Sequence, residues 1–144
     1  MLQRIQTVYL IVAALISGVL AFVVPFWSDA DGGVLFLTDL LEIDAGYDLA
    51  VPVLFIVSTI ISVVSIFLFK RRSRQISSNR INIVINFLLL GIIVYRLLNL
   101  PGEMNISEKG IGVFMPLLII VLLALANKAI IKDEKLVKSV DRLR

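Results

Sequence analysis

The chain contains no cysteine and no histidine among its 144 residues. Without cysteine there is no disulfide, no thiolate nucleophile and no Cys-based metal site. Without histidine, the commonest general base near neutral pH is missing, and so is the commonest nitrogen ligand for zinc, copper or haem. Charge is scarce as well: Asp, Glu, Lys and Arg make up 17% of the chain, against about 25% in an ordinary soluble domain. No Asp, Glu or Lys falls near the centre of the long apolar runs described below, which argues against a proton- or ion-coupled transporter. None of those runs is broken at its centre by the Gly/Pro interruptions that transporters use. There is no glycine-rich phosphate loop and no cluster of metal ligands. The serines within the runs have no neighbouring base to activate them. The expectation is a protein that is not an enzyme, with no catalytic residue, cofactor or metal.

What the chain has in abundance is apolar sequence. Hydrophobic residues account for 59%, above the 45–50% or so of soluble domains, and they gather in four windows. These are TVYLIVAALISGVLAFVVPF (7–26), VPVLFIVSTIISVVSIFLF (51–69), INIVINFLLLGIIVYRLLNL (81–100) and IGVFMPLLIIVLLALAN (111–127). A helix needs roughly 20 residues to cross a ~30 Å hydrocarbon core. Lipid offers no partner to a free N–H or C=O, so the windows are expected to be helices. The fourth is short, and gains length from Ala129, Ile130 and Ile131 if Lys128 snorkels to the interface. The fold class expected is an all-α bundle of four transmembrane helices, one membrane domain over 1–144.

The basic residues set an orientation. Arg4 precedes the first window. Lys70, Arg71, Arg72, Arg74 and Arg80 lie between the second and third. Lys128, Lys132, Lys135, Lys138, Arg142 and Arg144 follow the fourth. Only Arg96 and Lys109 remain for the other side. The positive-inside rule then places both termini and the middle loop in the cytoplasm, as in a multi-pass membrane protein. The same bias accounts for the sequence pI of about 9.5 without nucleic-acid binding. The first window is expected to stay as a span rather than be cleaved as a signal peptide, because its apolar run continues to Phe26.

Helices in lipid associate through close packing and hydrogen bonds. The first window offers Ala13, Ser17 and Ala21, with Ala14 and Gly18 beside them. The second carries Ser58, Ser62 and Ser65 on one face, and the third Asn82 and Asn86, with Asn79 on the same stripe just outside. These serines and asparagines are expected to make interhelical polar contacts, each worth about 0.6 kcal/mol. Pro116 is expected to kink the fourth helix. Arg96 is expected near the far boundary, snorkelling outward or clipping a loop acid such as Asp48 or Glu103.

Two segments lie outside the windows. In the first loop, DADGG (29–33) favours a turn, VLFL (34–37) a short strand, and Asp39 with Glu42 a capping box. Asp29 and Asp31 begin like a calcium loop, but Gly33 and Leu40 stand where ligands are needed, so a surface cap is expected instead. The closing segment ANKAIIKDEKLVKSVDRLR forms a basic amphipathic helix if helical. Leu136, Val137, Val140 and Leu143 lie along it, and Glu134 and Lys138 are an i, i+4 pair. Such a helix reads first as a membrane-surface helix and second as a docking helix for protein.

The opening QRIQTVYL and the closing ANKAIIKDEKLVKSVDRLR resemble an uncharacterised bacterial family of small four-helix inner-membrane proteins, a domain of unknown function. The matching residues are Gln3, Arg4, Gln6, Thr7 and Tyr9 at one end. At the other they are Asn127, Lys128, Ala129, Lys132, Asp133, Glu134, Val137, Ser139, Asp141, Arg142 and Leu143. The resemblance implies the four spans and supplies no activity, substrate or cofactor. The function expected is a scaffold or accessory subunit of a membrane assembly, in contact with the bilayer and with a protein partner or further copies of itself. Its contacts would be Arg4, Arg71, Arg72, Arg74, Lys132, Lys135, Lys138, Arg142 and Arg144. The alternative is a small transporter, channel subunit or lipid-binding protein using a Ser/Asn crevice between the second and third spans.

Overall fold

The computed structural model describes residues 2–28, 34–42, 46–99 and 111–142. Helix α1 (Leu2–Leu15) passes through a π-helical turn (Ile16–Leu20) into the short α2 (Ala21–Val23). The helix stops there because Pro25 forces Val24 into extended geometry (φ −92°, ψ 137°). Strands β1 (Trp27–Ser28) and β2 (Val34–Leu35) pair antiparallel, and α3 (Leu37–Leu40) follows. Helix α4 (Gly46–Phe67) tightens into a 3-10 turn (Leu68–Lys70), then α5 (Arg72–Asn99) begins after the single residue Arg71. A second 3-10 turn (Ile111–Phe114) leads into α6 (Met115–Asp141). Four helical stretches are long and apolar enough to cross a membrane: Ile5–Val23, Leu49–Lys70, Arg72–Asn99 and Ile111–Asp141.

Four local expectations need correction. The segment from Arg72 to Arg80 is helix rather than loop. It is held because Gln75 and Asn79 bury against neighbouring helices instead of facing solvent. Pro116 does not kink α6, because it stands in the first turn, where its missing N–H has no helical acceptor to lose. Asp39 is the third residue of α3 rather than its cap: its carboxylate accepts from the N–H of Phe36 at 2.9 Å. The VLFL strand is reduced to Val34–Leu35, since Phe36 caps α3 and Leu37 begins it. The turn expected at DADGG lies outside the described residues.

The four long helices close a ring in which α1 packs on α4 and α6, and α5 packs on α4 and α6. The buried positions explain the geometry. The main rhythm runs through 51, 55, 58, 62 and 65 in α4, 75, 79, 82, 86, 89 and 93 in α5, and 119, 123, 126 and 130 in α6, with 52, 115, 116 and 127 buried beside it. Alternating steps of three and four are the seam of left-handed helix packing. Helix α1 follows the same rule at Gln6, Leu10, Ala13 and Ser17, then takes a step of four to Ala21. The π turn supplies the extra residue: the N–H of Ala21 bonds the carbonyl of Ile16, five residues back. Ala21 is thereby buried, and Leu20 faces out.

What faces inward and outward is inverted relative to a protein folded in water. Asn79, Asn82, Asn86, Ser58, Ser62 and Ser65 are fully buried, while Val84, Phe87, Val121, Ile60 and Val8 are exposed. In water that arrangement would forgo the hydrophobic effect. In hydrocarbon it is the favourable one, because lipid cannot satisfy an amide. At the end remote from the basic residues the core turns apolar. Phe26 packs edge-on against Phe55 (centroids 5.6 Å apart, 72°), and Leu37, Leu40, Val51, Leu89 and Ile93 belong to the same buried cluster. Leu37 and Leu40 make α3 a lid on that end.

Close approach of α1 and α4 depends on Gly18, where an added Cβ would stand 2.8 Å from Thr59 Cγ2. Gly91, by contrast, has nothing within 4 Å among the described residues. Gly18→Ala is therefore expected to cost about 1–2 kcal/mol through overpacking. Gly91→Ala should be neutral or stabilising by up to about 1 kcal/mol. Detergent-titrated unfolding of the two variants checks this; equal effects would contradict the packing described for Gly18.

Candidate functional site

The first feature with chemical character is a polar seam between α4, α5 and α6. The amide of Asn82 donates to the Ser58 carbonyl (3.1 Å) and to Ser62 Oγ (2.8 Å). Asn86 donates to Ser58 Oγ at 2.9 Å and back to the Asn82 carbonyl at 2.9 Å. Ser65 donates to Asn79 Oδ1, and Asn79 in turn donates to Asn127 Oδ1 of α6 at 2.9 Å. Gln75 donates to the Ser65 carbonyl at 3.0 Å. The structure thus brings Ser58, Ser62, Ser65, Asn82 and Asn86 together. None of these five side chains keeps exposed surface; the amide N–H groups of Asn82 and Asn86 are spent on the bundle itself, while Asn86 Oδ1 is buried with no hydrogen-bond partner among the described residues.

Sequence reasoning missed Gln75 and the bonding role of Asn127. Gln75 was legible, lying four before Asn79 in the three-and-four rhythm. Asn127 was not, because its partner is 48 residues away. A smaller polar contact joins α1 to α4: Thr59 Oγ1 lies 2.9 Å from Ser17 Oγ, and Ser17 donates to the Ala13 carbonyl at 3.0 Å.

The second feature is the basic end. The Asn79–Asn127 bond sets the register of α5 against α6. Arg80 and Lys128, the first charges met on leaving the apolar run of each helix, follow those two asparagines and so stand at about the same level. Beyond them, α6 continues as one helix to Asp141. The sequence from 128 to 141 contains no glycine or proline to break it. Arg72 at the start of α5 pairs with Asp133 at 2.9 Å, tying the extension to the α4–α5 turn. Both partners are only partly exposed. A double-mutant cycle with Arg72→Gln and Asp133→Asn is expected to give a coupling of about 1 kcal/mol; additive losses would show the pair to be incidental.

Lys138 pairs with Glu134 at 2.9 Å, one turn apart. The Lys138 ammonium, by hydrogen bond and charge, holds the Glu134 carboxyl below the usual carboxylate range. A depressed carboxylate pKa stabilises above the unfolded value, and that contribution disappears as pH falls through the folded one. The far end of α6 should therefore lose helicity on acidification, and Lys138→Gln should remove that pH dependence, as read by hydrogen exchange at residues 134–141.

Arg71, Arg74, Lys132, Lys135, Lys138 and Arg142 are exposed on this end. The side chains of Arg4 and Arg144 lie outside the described residues. Arg96 is half-buried, and the side chains of Asp48 and Glu103, its expected partners, also lie outside those described. Leu136, Val137 and Val140 form an exposed apolar strip on the α6 extension. Among the described residues no group of three or more Asp or Glu is placed to hold a metal ion.

Four long apolar helices with a polar seam inside and aliphatic side chains outside define a multi-pass helical membrane protein. The chain belongs to the family described as Domain of unknown function (DUF4293), whose family model matches residues 2–143. No curated protein and no solved structure matches it.

Proposed function

We propose that the protein is a non-enzymatic scaffold or accessory subunit of an assembly in a bacterial inner membrane, with both termini and the α4–α5 turn in the cytoplasm. The observation that carries this is the unbroken extension of α6. A helix that lies flat on a membrane must break where it leaves its span, and α6 does not break. It projects past the apolar run, braced by Arg72–Asp133. On that projection Leu136, Val137 and Val140 are bare. An apolar strip edged by Asp141, with Lys132 one turn before Leu136, suits an amphipathic partner surface. The polar seam supports the same reading: its side chains are buried and bond mainly one another, leaving the exposed charged surface at the basic end.

The test places a photocrosslinking residue at Val137 or at the lipid-facing Val84 in native membranes. Crosslinks to a discrete protein from Val137 and not from Val84 are expected. A lone monomer from both sites, also recovered alone after affinity purification in mild detergent, would refute the scaffold reading.

A further inference from the structure

A groove of about 620 Å³ runs between α5 and α6 at the basic end. Its walls are Arg80 and Ile83 from α5, and Ala124, Asn127, Lys128, Ile131, Lys132 and Lys135 from α6. On α6 these recur at helical spacing along one face, spanning about 16 Å at 1.5 Å per residue. Four of the lining residues are cationic and none is acidic. The nearby acids are occupied elsewhere, Asp133 by Arg72 and Glu134 by Lys138.

The lining is graded along the bundle axis. The Asn79–Asn127 bond aligns the two helices. Ile83 and Ala124 therefore lie on the apolar side of that level, Arg80 and Lys128 lie at it, and Lys132 and Lys135 lie beyond. A ligand matched to this gradient is apolar at the depth of the hydrocarbon, anionic at the interface, and polar further out. That is the profile of an anionic phospholipid. We infer that the α5–α6 groove is a binding site for an anionic glycerophospholipid, with an acyl chain against Ile83 and Ala124 and the phosphate between Arg80, Lys128 and Lys132. Basic pockets between helices at a membrane surface recognise such headgroups through charge, each cation adding to the attraction. A soluble phosphate would leave the apolar floor unused, and a zwitterionic lipid would leave the cationic rim unneutralised. The site requires only that the four helices lie in a bilayer; it stands whether or not a protein docks on α6.

The experiment is native mass spectrometry of the full-length protein in detergent micelles, titrated with dioleoyl phosphatidylglycerol or dioleoyl phosphatidylcholine. The anionic lipid should bind about tenfold more tightly or better, on the basis of charge alone. Arg80→Gln/Lys128→Gln/Lys132→Gln should weaken it about tenfold or more, while Arg71→Gln/Arg74→Gln/Arg142→Gln, with the same change in net charge, should weaken it less than about threefold. Ala124→Trp, which fills the deep end and leaves every charge in place, should abolish retention of the lipid. All the substituted side chains are exposed, so the bundle keeps its core. The inference is overturned by equal affinity for the two lipids, by equal losses in the two charge variants, by an inert Ala124→Trp, or by displacement of the lipid with millimolar inorganic phosphate.

Discussion

Asn79→Ala is expected to destabilise the bundle by about 2 kcal/mol, more than any other single change in the polar seam. Asn79 is the residue through which three helices meet: it accepts from Ser65 of α4 and donates to Asn127 of α6. Two interhelical contacts at a membrane average of about 0.6 kcal/mol each would give little over 1 kcal/mol. The larger figure arises because the substitution strands what it leaves behind. Asn127 is nine-tenths buried, and an orphaned acceptor in that setting costs about 1–3 kcal/mol. The same reasoning fixes the sign of the control. Asn79→Leu with Asn127→Leu removes both partners and fills the space with apolar atoms, so the double variant should recover most of the loss. Unfolding titrations in mixed detergent micelles measure both. A single-variant loss below about 0.5 kcal/mol, or strictly additive effects in the pair, would mean the seam is not what holds α5 to α6.

The other large effect is expected at the opposite end. A Cβ on Gly112 would stand 2.5, 2.6 and 2.7 Å from three atoms of the Phe26 ring. That ring is fully buried and fixed edge-on against Phe55, so it has no solvent-side escape. The backbone is pinned as well, since the Gly112 N–H donates to the Pro25 carbonyl at 3.1 Å. Gly112→Val should therefore cost about 3 kcal/mol, at the upper end of overpacking effects. Phe26→Leu in the Gly112→Ala background should restore part of what Gly112→Ala alone removes. Melting temperatures of the single and double variants decide the matter: a Gly112→Val protein as stable as the parent would show that Phe26 moves freely.

The parts of the fold that rest on local rules were open to reading in the residues. Four apolar windows demand helices in lipid, and Ser58, Ser62, Ser65, Asn82 and Asn86 announce a shared face by spacing alone. Features that depend on the meeting of distant segments were not open in this way. Asn127 has no local mark as the partner of Asn79. Pro116 looks like a kink until the start of α6 at Met115 is known. The basic stretch at Arg72–Arg80 looks like a loop because it is charged. It is helical because Gln75, in its midst, finds an acceptor on α4. At the candidate site, the cations of the groove were individually legible. That Arg80 and Lys128 share a level was not, since it follows from a hydrogen bond between two helices.

The π turn in α1 has a consequence best put in terms of insertions and deletions. From Gln6 to Ser17 the inward-facing positions keep the rhythm of the other three helices, and at Ile16–Leu20 the chain spends one residue more than that rhythm needs. Loss of one residue inside this turn would return it to plain α-helix and leave the inward faces on either side aligned. Loss of one residue anywhere else in α1 would swing Gln6 and Leu10 or Ala21 about 100° out of the seam. The turn is thus the place in the first span where chain length can change by one without changing which side chains meet.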